Sequence, residues 1–255
     1  MNRENSIIRV KDLVKHYEQI QAVNGISFDV YEGEIFGLLG PNGAGKTTTL
    51  EIIETLREKT SGEIYVEGLS VDKDANRIKK IIGVQLQAAG YYPSLTLLEL
   101  LRLFSGLYNV KIVPMEMLKL VGLEDRGNAK YKELSGGQKQ RFSICTTLIN
   151  RPKIVFLDEP TTGLDPQARR NLWDLIRMIR DKGTTVVITT HYMDEAENLC
   201  DRVAIVEKGK IIALDTPDKL IDALVAKGFE RKKEVKQANL EDVFLALTGQ
   251  EWRDE

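Results

Sequence analysis

GPNGAGKT, Gly40 to Thr47, is the stretch that leaves this chain the fewest choices. It follows the apolar run GEIFGLLG and leads into TTTLEIIETL, which has the spacing of a helix. A buried strand that ends in glycines and passes straight into a helix turns a row of backbone N–H groups toward one point. The helix N-terminus adds the positive end of its dipole there. Every fixed position of G-x-x-x-x-G-K-[ST] is filled. On that pattern Gly40, Pro41, Asn42, Gly43, Ala44 and Gly45 wrap a phosphate chain, and Lys46 reaches the β- and γ-phosphates. The Thr47 hydroxyl ligates Mg²⁺ and Thr48 donates to the α-phosphate. An ordinary glycine turn capping a helix is the alternative, and the strand–loop–helix context argues against it. The motif points to a nucleoside triphosphate and leaves the reaction class open.

The surroundings suggest an α/β fold. Residues 6–38 read as β-rich, with turn breaks expected at Asn24-Gly25 and Glu32-Gly33, and TSGEIYVEG reads as another short hairpin piece. From Pro93 to about Asn150 the texture becomes helical, in LTLLELLRLFSGLY, PMEMLKLVGL and SGGQKQRFSICTTLIN. Strand–helix alternation then returns. KIVFLDEP and TTVVITTH are buried strands around the helix ARRNLWDLIRMIRDKG, which Gly183 closes. RVAIVEKGKIIAL is a hairpin turning at Lys208-Gly209. Buried strands paired with helices imply a largely parallel sheet, here interrupted by a helical insert. The expected divisions are 1–88, 89–150, 151–215 and a charged, partly helical tail at 216–255.

Two carboxylates end the strand IVFLDEP. Asp158 and Glu159 leave it at the C-terminal edge, where open α/β sheets hold their ligands. Asp158 suits the acid that holds Mg²⁺, and Glu159, pointing the other way, suits a general base acting on water. Of the two histidines, His16 lies in a polar N-terminal segment. His191 follows TTVVITT at a strand end on the same edge as Asp158, where it can meet a γ-phosphate or an attacking water.

Bulk properties exclude several classes. The net charge of −2 lacks the basic excess of a duplex-binding surface. The two cysteines, Cys145 and Cys200, are far apart and in no metal-like spacing, so reduced thiols are expected. The start MNRENSIIRVKDLVKHY has no apolar h-region. No apolar run approaches the ~20 residues a spanning helix needs.

LSGGQ, Leu134 to Gln138, is a second cradle suited to an anion: a serine cap followed by bare glycine backbone. With GPNGAGKTT before it and IVFLDEP after it, the chain resembles the ATP-binding cassette (ABC) ATPases over residues ~6–215. It is most similar to bacterial ATPase subunits of drug- and polymer-exporting type. The resemblance implies a phosphate-loop NTPase (RecA-like) core with an N-terminal antiparallel β subdomain and a helical insert. By the same resemblance Tyr17 stacks on adenine, Gln87 in IIGVQLQ is the Q-loop glutamine with a catalytic and Mg²⁺-binding role, Asp165 in TGLD is a D-loop residue counted with those that bind ATP, and His191 is the switch histidine. Gln85 competes for the glutamine position, though the spacing from Gly83 and the following PSLT favours Gln87. Ser135, Gly136, Gly137 and Gln138 are implied to contact ATP held by a second, head-to-tail copy or a paralogue. SICTTLIN departs from the small alanines usual after the signature, and packing rather than chemistry is expected to feel it.

Three functional readings arise. One is the ATP-hydrolysing subunit of a membrane transporter, peripheral on the cytoplasmic face, driving a separate polytopic permease, with ATP and Mg²⁺ as cofactors and export as the implied direction. The tail ANLEDVFLALTG resembles endings common in that branch. The second is a soluble ABC protein acting on nucleic acid or ribosomes. The short span between Lys46 and Leu134, the single cassette and the acidic charge disfavour it, and no nucleic-acid partner is expected. The third, a nucleotide-binding module without turnover, is disfavoured by the intact Glu159 and His191.

Overall fold

The computed structural model describes residues 6–85 and 90–229. Gln87 and the segment 238–249 lie outside the described residues. The chain opens with two long antiparallel strands, β1 (Ser6–Tyr17) and β2 (Ile20–Tyr31). The short strand β3 (Ile35–Leu39) leads through the phosphate loop into α1 (Lys46–Ile53). Strand β4 (Ser61–Val66) returns to pair with β1, and β5 (Leu69–Ser70) pairs with β4. Then come α2 (Ala75–Ile81) and β6 (Ile82–Gln85). The helical insert holds α3 (Leu97–Leu107), α4 (Pro114–Leu120) and α5 (Gly136–Thr147). The second half is β7 (Ile154–Asp158), α6 (Pro166–Asp181), β8 (Thr185–Thr190), α7 (Met193–Leu199), β9 (Arg202–Glu207) and β10 (Lys210–Asp215).

The strands form two sheets. One is antiparallel, in the order β2-β1-β4-β5. The other runs β10-β9-β3-β8-β7-β6 and is parallel except where β10 closes a hairpin on β9. Every residue of β3, β7 and β8 is buried, as expected of parallel strands covered on both faces. Their side chains divide by the period of two between two cores. Ile35, Val155, Leu157 and Ile188 pack with the helical insert and α6, while Phe36, Leu38, Phe156 and Val187 pack toward α1 and the antiparallel sheet. All three strands therefore end on one edge, and the polar residues after them gather there.

The Asn24-Gly25 break expected from the sequence is not a turn. Strand β2 runs through it with Gly25 at φ 71°, and the chain reverses instead between Tyr17 and Ile20. Asn24 donates its N–H to Gly209 O at 2.8 Å, so tertiary pairing with the β9–β10 hairpin uses this irregularity. The hairpin at Lys208-Gly209 forms as read.

The polar residues after the signature are accommodated inside the helix. Thr146 and Thr147 each donate a hydroxyl to the carbonyl three residues back, at 2.7 Å, which satisfies them without an outside partner. Thr146 also meets the Tyr91 hydroxyl at 3.1 Å. Both cysteines are buried and free.

Residues through Leu220 form one compact unit, and a second begins at Ile221. In the second, the described residues up to 229 belong to the end of α8 (Pro217–Val225) and the turn after it. Among the described residues no helix is long and apolar enough to cross a membrane.

The insert is seated on the core by a close backbone approach. A Cβ on Gly83 in β6 would lie 2.2 Å from the Thr147 carbonyl oxygen of α5. We expect Gly83→Ala to cost about 1–3 kcal/mol through overpacking, read as a lower urea midpoint. An unchanged midpoint would mean that α5 is free to shift off the strand.

Candidate active site

The phosphate loop is shaped by contacts that only glycine permits. Gly45, the N-cap of α1, has φ 101°, and a Cβ there would lie 2.3 Å from Ala22 O. A Cβ on Gly40 would lie 2.2 Å from Val206 O. The loop is thus pinned between β2 and β9 and frames a cleft of about 520 Å³ lined by Asn42, Gly43, Gly45, Lys46, Thr47, Thr48, Ala22 and Glu159. The Lys46 ammonium is 4 % exposed. It donates to Gly40 O at 2.8 Å and Pro41 O at 3.1 Å and stands 3.5 Å from Glu159 Oε1. Such a cation folded back on its own loop is placed to turn toward a triphosphate.

The strand ends supply the rest. Thr47 Oγ1 lies 3.1 Å from both Asp158 carboxylate oxygens, and Thr189 donates its hydroxyl to Asp158 Oδ1. Burial raises the Asp158 carboxyl above its ordinary value, and the neighbouring Glu159 adds to this. The hydroxyls of Thr189 and Thr47 and the charge of Lys46 oppose it. Glu159 takes a left-handed backbone at φ 47° while its N–H is held by Thr189. Such a conformation costs on the order of 1–3 kcal/mol and is characteristic of working sites. It turns the Glu159 side chain into the cleft, between Lys46 and His191. His191 Nδ1 is 3.3 Å from Glu159 Oε2, too poorly aligned for a ring N–H bond. Thr162 donates to the same Glu159 oxygen at 3.3 Å.

Thr47 and Asp158 present hard oxygen donors, and burial outweighs the opposing charge of Lys46 at the Asp158 carboxyl. That donor chemistry fits Mg²⁺, which takes one or two protein oxygens rather than a full cage. Among the described residues no group of three or more His, Cys, Asp or Glu side chains could hold a metal by itself.

The structure brings Lys46, Thr47, Asp158, Glu159 and His191 together. It leaves Tyr17 outside the lining of this cleft, at the end of β1, with Lys15 Nζ 5.0 Å and Arg57 Cζ 5.4 Å from its ring centroid. The signature residues are separate too. Ser135 caps α5 in a reciprocal box with Gln138, and Asp165 caps α6 by accepting from Ala168 N–H at 2.8 Å. A Cβ on Gly137 would lie 3.1 Å from the Ala168 methyl. Ser135, Gly136, Gly137, Gln138, Gly163 and Asp165 line a cleft of about 230 Å³ that shares no lining residue with the phosphate-loop cleft. Sequence reasoning missed Thr189, whose signal was a pair of threonines ending an otherwise apolar strand. It also missed Glu54, one acid in a helix end, which carried no signal.

A phosphate loop after β3, a histidine after the neighbouring strand β8 and an acid pair at the end of β7, one strand further, define a nucleoside triphosphatase. Residues 23–162 match the ABC transporter family. The chain is 36% identical to the Nod factor export ATP-binding protein I of Burkholderia orbicola, over 97% of this chain and 98% of that protein. It is 39% identical to the linearmycin resistance ATP-binding protein LnrL of Bacillus subtilis, over 86% and 72%. Among solved structures it resembles the ADP conformation of an ATP-binding cassette of an ABC transporter, with TM-score 0.77, 25% identity and coverage of 87% and 95%. A dimeric, post-hydrolysis cassette bound to ADP and phosphate matches with TM-score 0.74, 29% identity and coverage of 82% and 98%. The chain belongs to the ABC transporter family, and it is an ATPase.

Glu54 lies at the C-terminal end of α1, 2 % exposed. Burial, then the charges of Asp158 and Glu51, push its carboxyl up from 4.5 to about 8. The folded state therefore binds this proton more tightly than the unfolded one. Its stabilising contribution is complete below pH 4.5 and is lost as pH rises through about 8. We expect Glu54→Gln to match the parent in melting temperature at pH 5 and to exceed it increasingly toward pH 9. A difference independent of pH would show that the carboxyl is not held protonated.

Proposed function

We propose that this chain is the ATP-hydrolysing subunit of an ABC exporter and closes head to tail with a second cassette on two MgATP. The observation that carries the hydrolytic part is the placement of Glu159 at the cleft mouth, between Lys46 and His191. The loop glycines and Lys46 bind the triphosphate of the substrate, and Thr48 reaches its α-phosphate. Thr47 and Asp158 would hold Mg²⁺, which would supply positive charge to offset that of the triphosphate. Glu159 accepts a hydrogen bond from water and takes its proton as the water oxygen bonds to the γ-phosphorus. The bond from that phosphorus to the β–γ bridging oxygen breaks, and its electron pair leaves on ADP. His191 holds the γ-phosphate and the water against Glu159. Tyr17, beyond the lining of this cleft, is assigned to the adenine base on the resemblance alone. Gln87, outside the described residues, is assigned to Mg²⁺ and the water on the resemblance alone.

The head-to-tail pairing rests on the two separate clefts. The signature cleft is poised for a phosphate yet takes no part in lining its own chain's phosphate-loop cleft. A second copy, or a paralogue, would bring its signature loop to Lys46 across an interface that is isologous for identical chains. ATP supplies much of the contact, so hydrolysis reopens the pair. A structural neighbour that is itself a dimeric, post-hydrolysis cassette supports this reading.

Export is supported by the relatives' names, one exporting Nod factor and one conferring linearmycin resistance. The substrate path belongs to a separate polytopic permease on which this chain sits at the cytoplasmic face. We expect a tagged chain purified in mild detergent from native membranes to bring down such a permease at near-equal amounts. Recovery of ribosomes or DNA instead would overturn the transport reading and leave the ATPase chemistry standing. Glu159→Gln should retain ATP binding, lose nearly all turnover, and elute as a dimer in MgATP on gel filtration. A monomer with full hydrolysis would remove Glu159 from the role of base.

A further inference from the structure

Behind the catalytic edge lies a carboxylate that the hydrolytic scheme does not use. Glu195, on α7, is fully buried. It accepts a hydrogen bond from Trp173 Nε1 of α6 at 3.0 Å. Burial raises its carboxyl. The hydroxyls of Thr190 and Thr161 and the Trp173 N–H lower it, as does the charge of Arg169. Arg169 itself donates to Asp194 at 2.8 Å and lies over the Tyr192 ring at 4.6 Å.

The two threonines make the placement informative. Thr190 immediately precedes His191, and its hydroxyl accepts the Tyr192 N–H at 3.0 Å, which closes the turn that presents the histidine. Thr161 lies two residues past Glu159, and its carbonyl accepts the Leu164 N–H at 3.1 Å in the loop leading to Asp165. Glu195 stands one helical turn past His191, and with Asp194 and Tyr192 it fastens the start of α7 to α6 through Trp173 and Arg169. A buried charge is costly to maintain, and an apolar side chain of similar volume would fill this space with less penalty. Thr161 Oγ1 and Glu195 Oε2 each lack an aligned hydrogen bond, so the Trp173 N–H is the contact that fixes the carboxyl.

We propose that Glu195 is a positioning residue for ATP hydrolysis, holding the His191 turn against α6, with Trp173 as its anchor. This rests on the hydrolytic roles proposed for His191 and Glu159. Because Trp173 and Asp165 share α6, the same cluster mechanically connects the loop expected to meet a second cassette with the histidine.

The test is steady-state ATPase kinetics of the full chain carrying Glu195→Gln, Trp173→Phe, His191→Ala, and each of the first two combined with His191→Ala. Melting temperature is recorded for each. Glu195→Gln should lower kcat about tenfold, the scale on which outer-shell partners act, with KM for ATP and melting temperature close to the parent's. Trp173→Phe keeps an aromatic body and removes only the N–H, so it should lower kcat in the same direction. If Glu195→Gln fails to fold, Trp173→Phe carries the same comparison. With His191 already replaced, neither change should cost further turnover, because a residue that acts through the histidine is silent without it. An unchanged kcat, or losses that add fully to that of His191→Ala, would overturn the proposal. If His191→Ala itself leaves turnover intact, the site reading fails first, and that outcome is distinguishable from failure at Glu195 alone.

Discussion

Asp158 is held between two hydroxyls, Thr47 at the start of α1 and Thr189 at the end of β8. This small polar contact ties the phosphate loop to two neighbouring strands at the point where the apolar sheet gives way to chemistry. The strands come to it because their side chains are buried on both faces and cannot be displaced without exposing two cores. The contact also explains a tension in the site. Asp158 and Glu159 are adjacent acids, partly shielded from water, and Lys46 is the cation nearest to both. Adding MgATP to such a place brings positive charge to the carboxylates and phosphate to the lysine, so binding relieves local imbalance on both sides.

The backbone of Glu159 belongs to the same economy. A left-handed φ at a non-glycine residue persists only where neighbours over-determine it. Here the neighbours are Thr189, which holds the Glu159 N–H, and Thr162, which meets its carboxylate. Behind them stands the Glu195 cluster. There Glu195 accepts the Trp173 N–H, which ties α7 to α6.

The signature loop is braced by its own contacts. Ser135 and Gln138 cap each other, and Gly137 leaves α5 close against Ala168 of α6. A pre-ordered anion cradle loses little conformational entropy when a phosphate arrives. Its separation from its own chain's phosphate loop gives that bracing a purpose only if the phosphate arrives from elsewhere, which is the physical content of the proposed pairing.

Much of this was legible in the linear chain because it depends on local spacing. The glycine pattern, the apolar run that ends in two acids, and the serine before two glycines each specify a turn, a cap or a strand end within a few residues. Their order also carried the resemblance to the cassette family. The Asn24-Gly25 dipeptide misled because its local preference for a turn lost to long-range pairing of β2 with β1 and with the β9–β10 hairpin. Glu54 and Glu195 were invisible for a related reason. An acid in a helix normally faces water, and only packing against distant elements reveals it as buried. The sequence by itself therefore determined which groups can bind phosphate and metal and which strand ends deliver them. Only the tertiary structure decided that Glu159 turns into the cleft between Lys46 and His191, that the phosphate-loop and signature clefts share no lining residue, and that Glu195 is buried against Trp173. These are distances between residues far apart in the chain, set by how the sheet and helices pack.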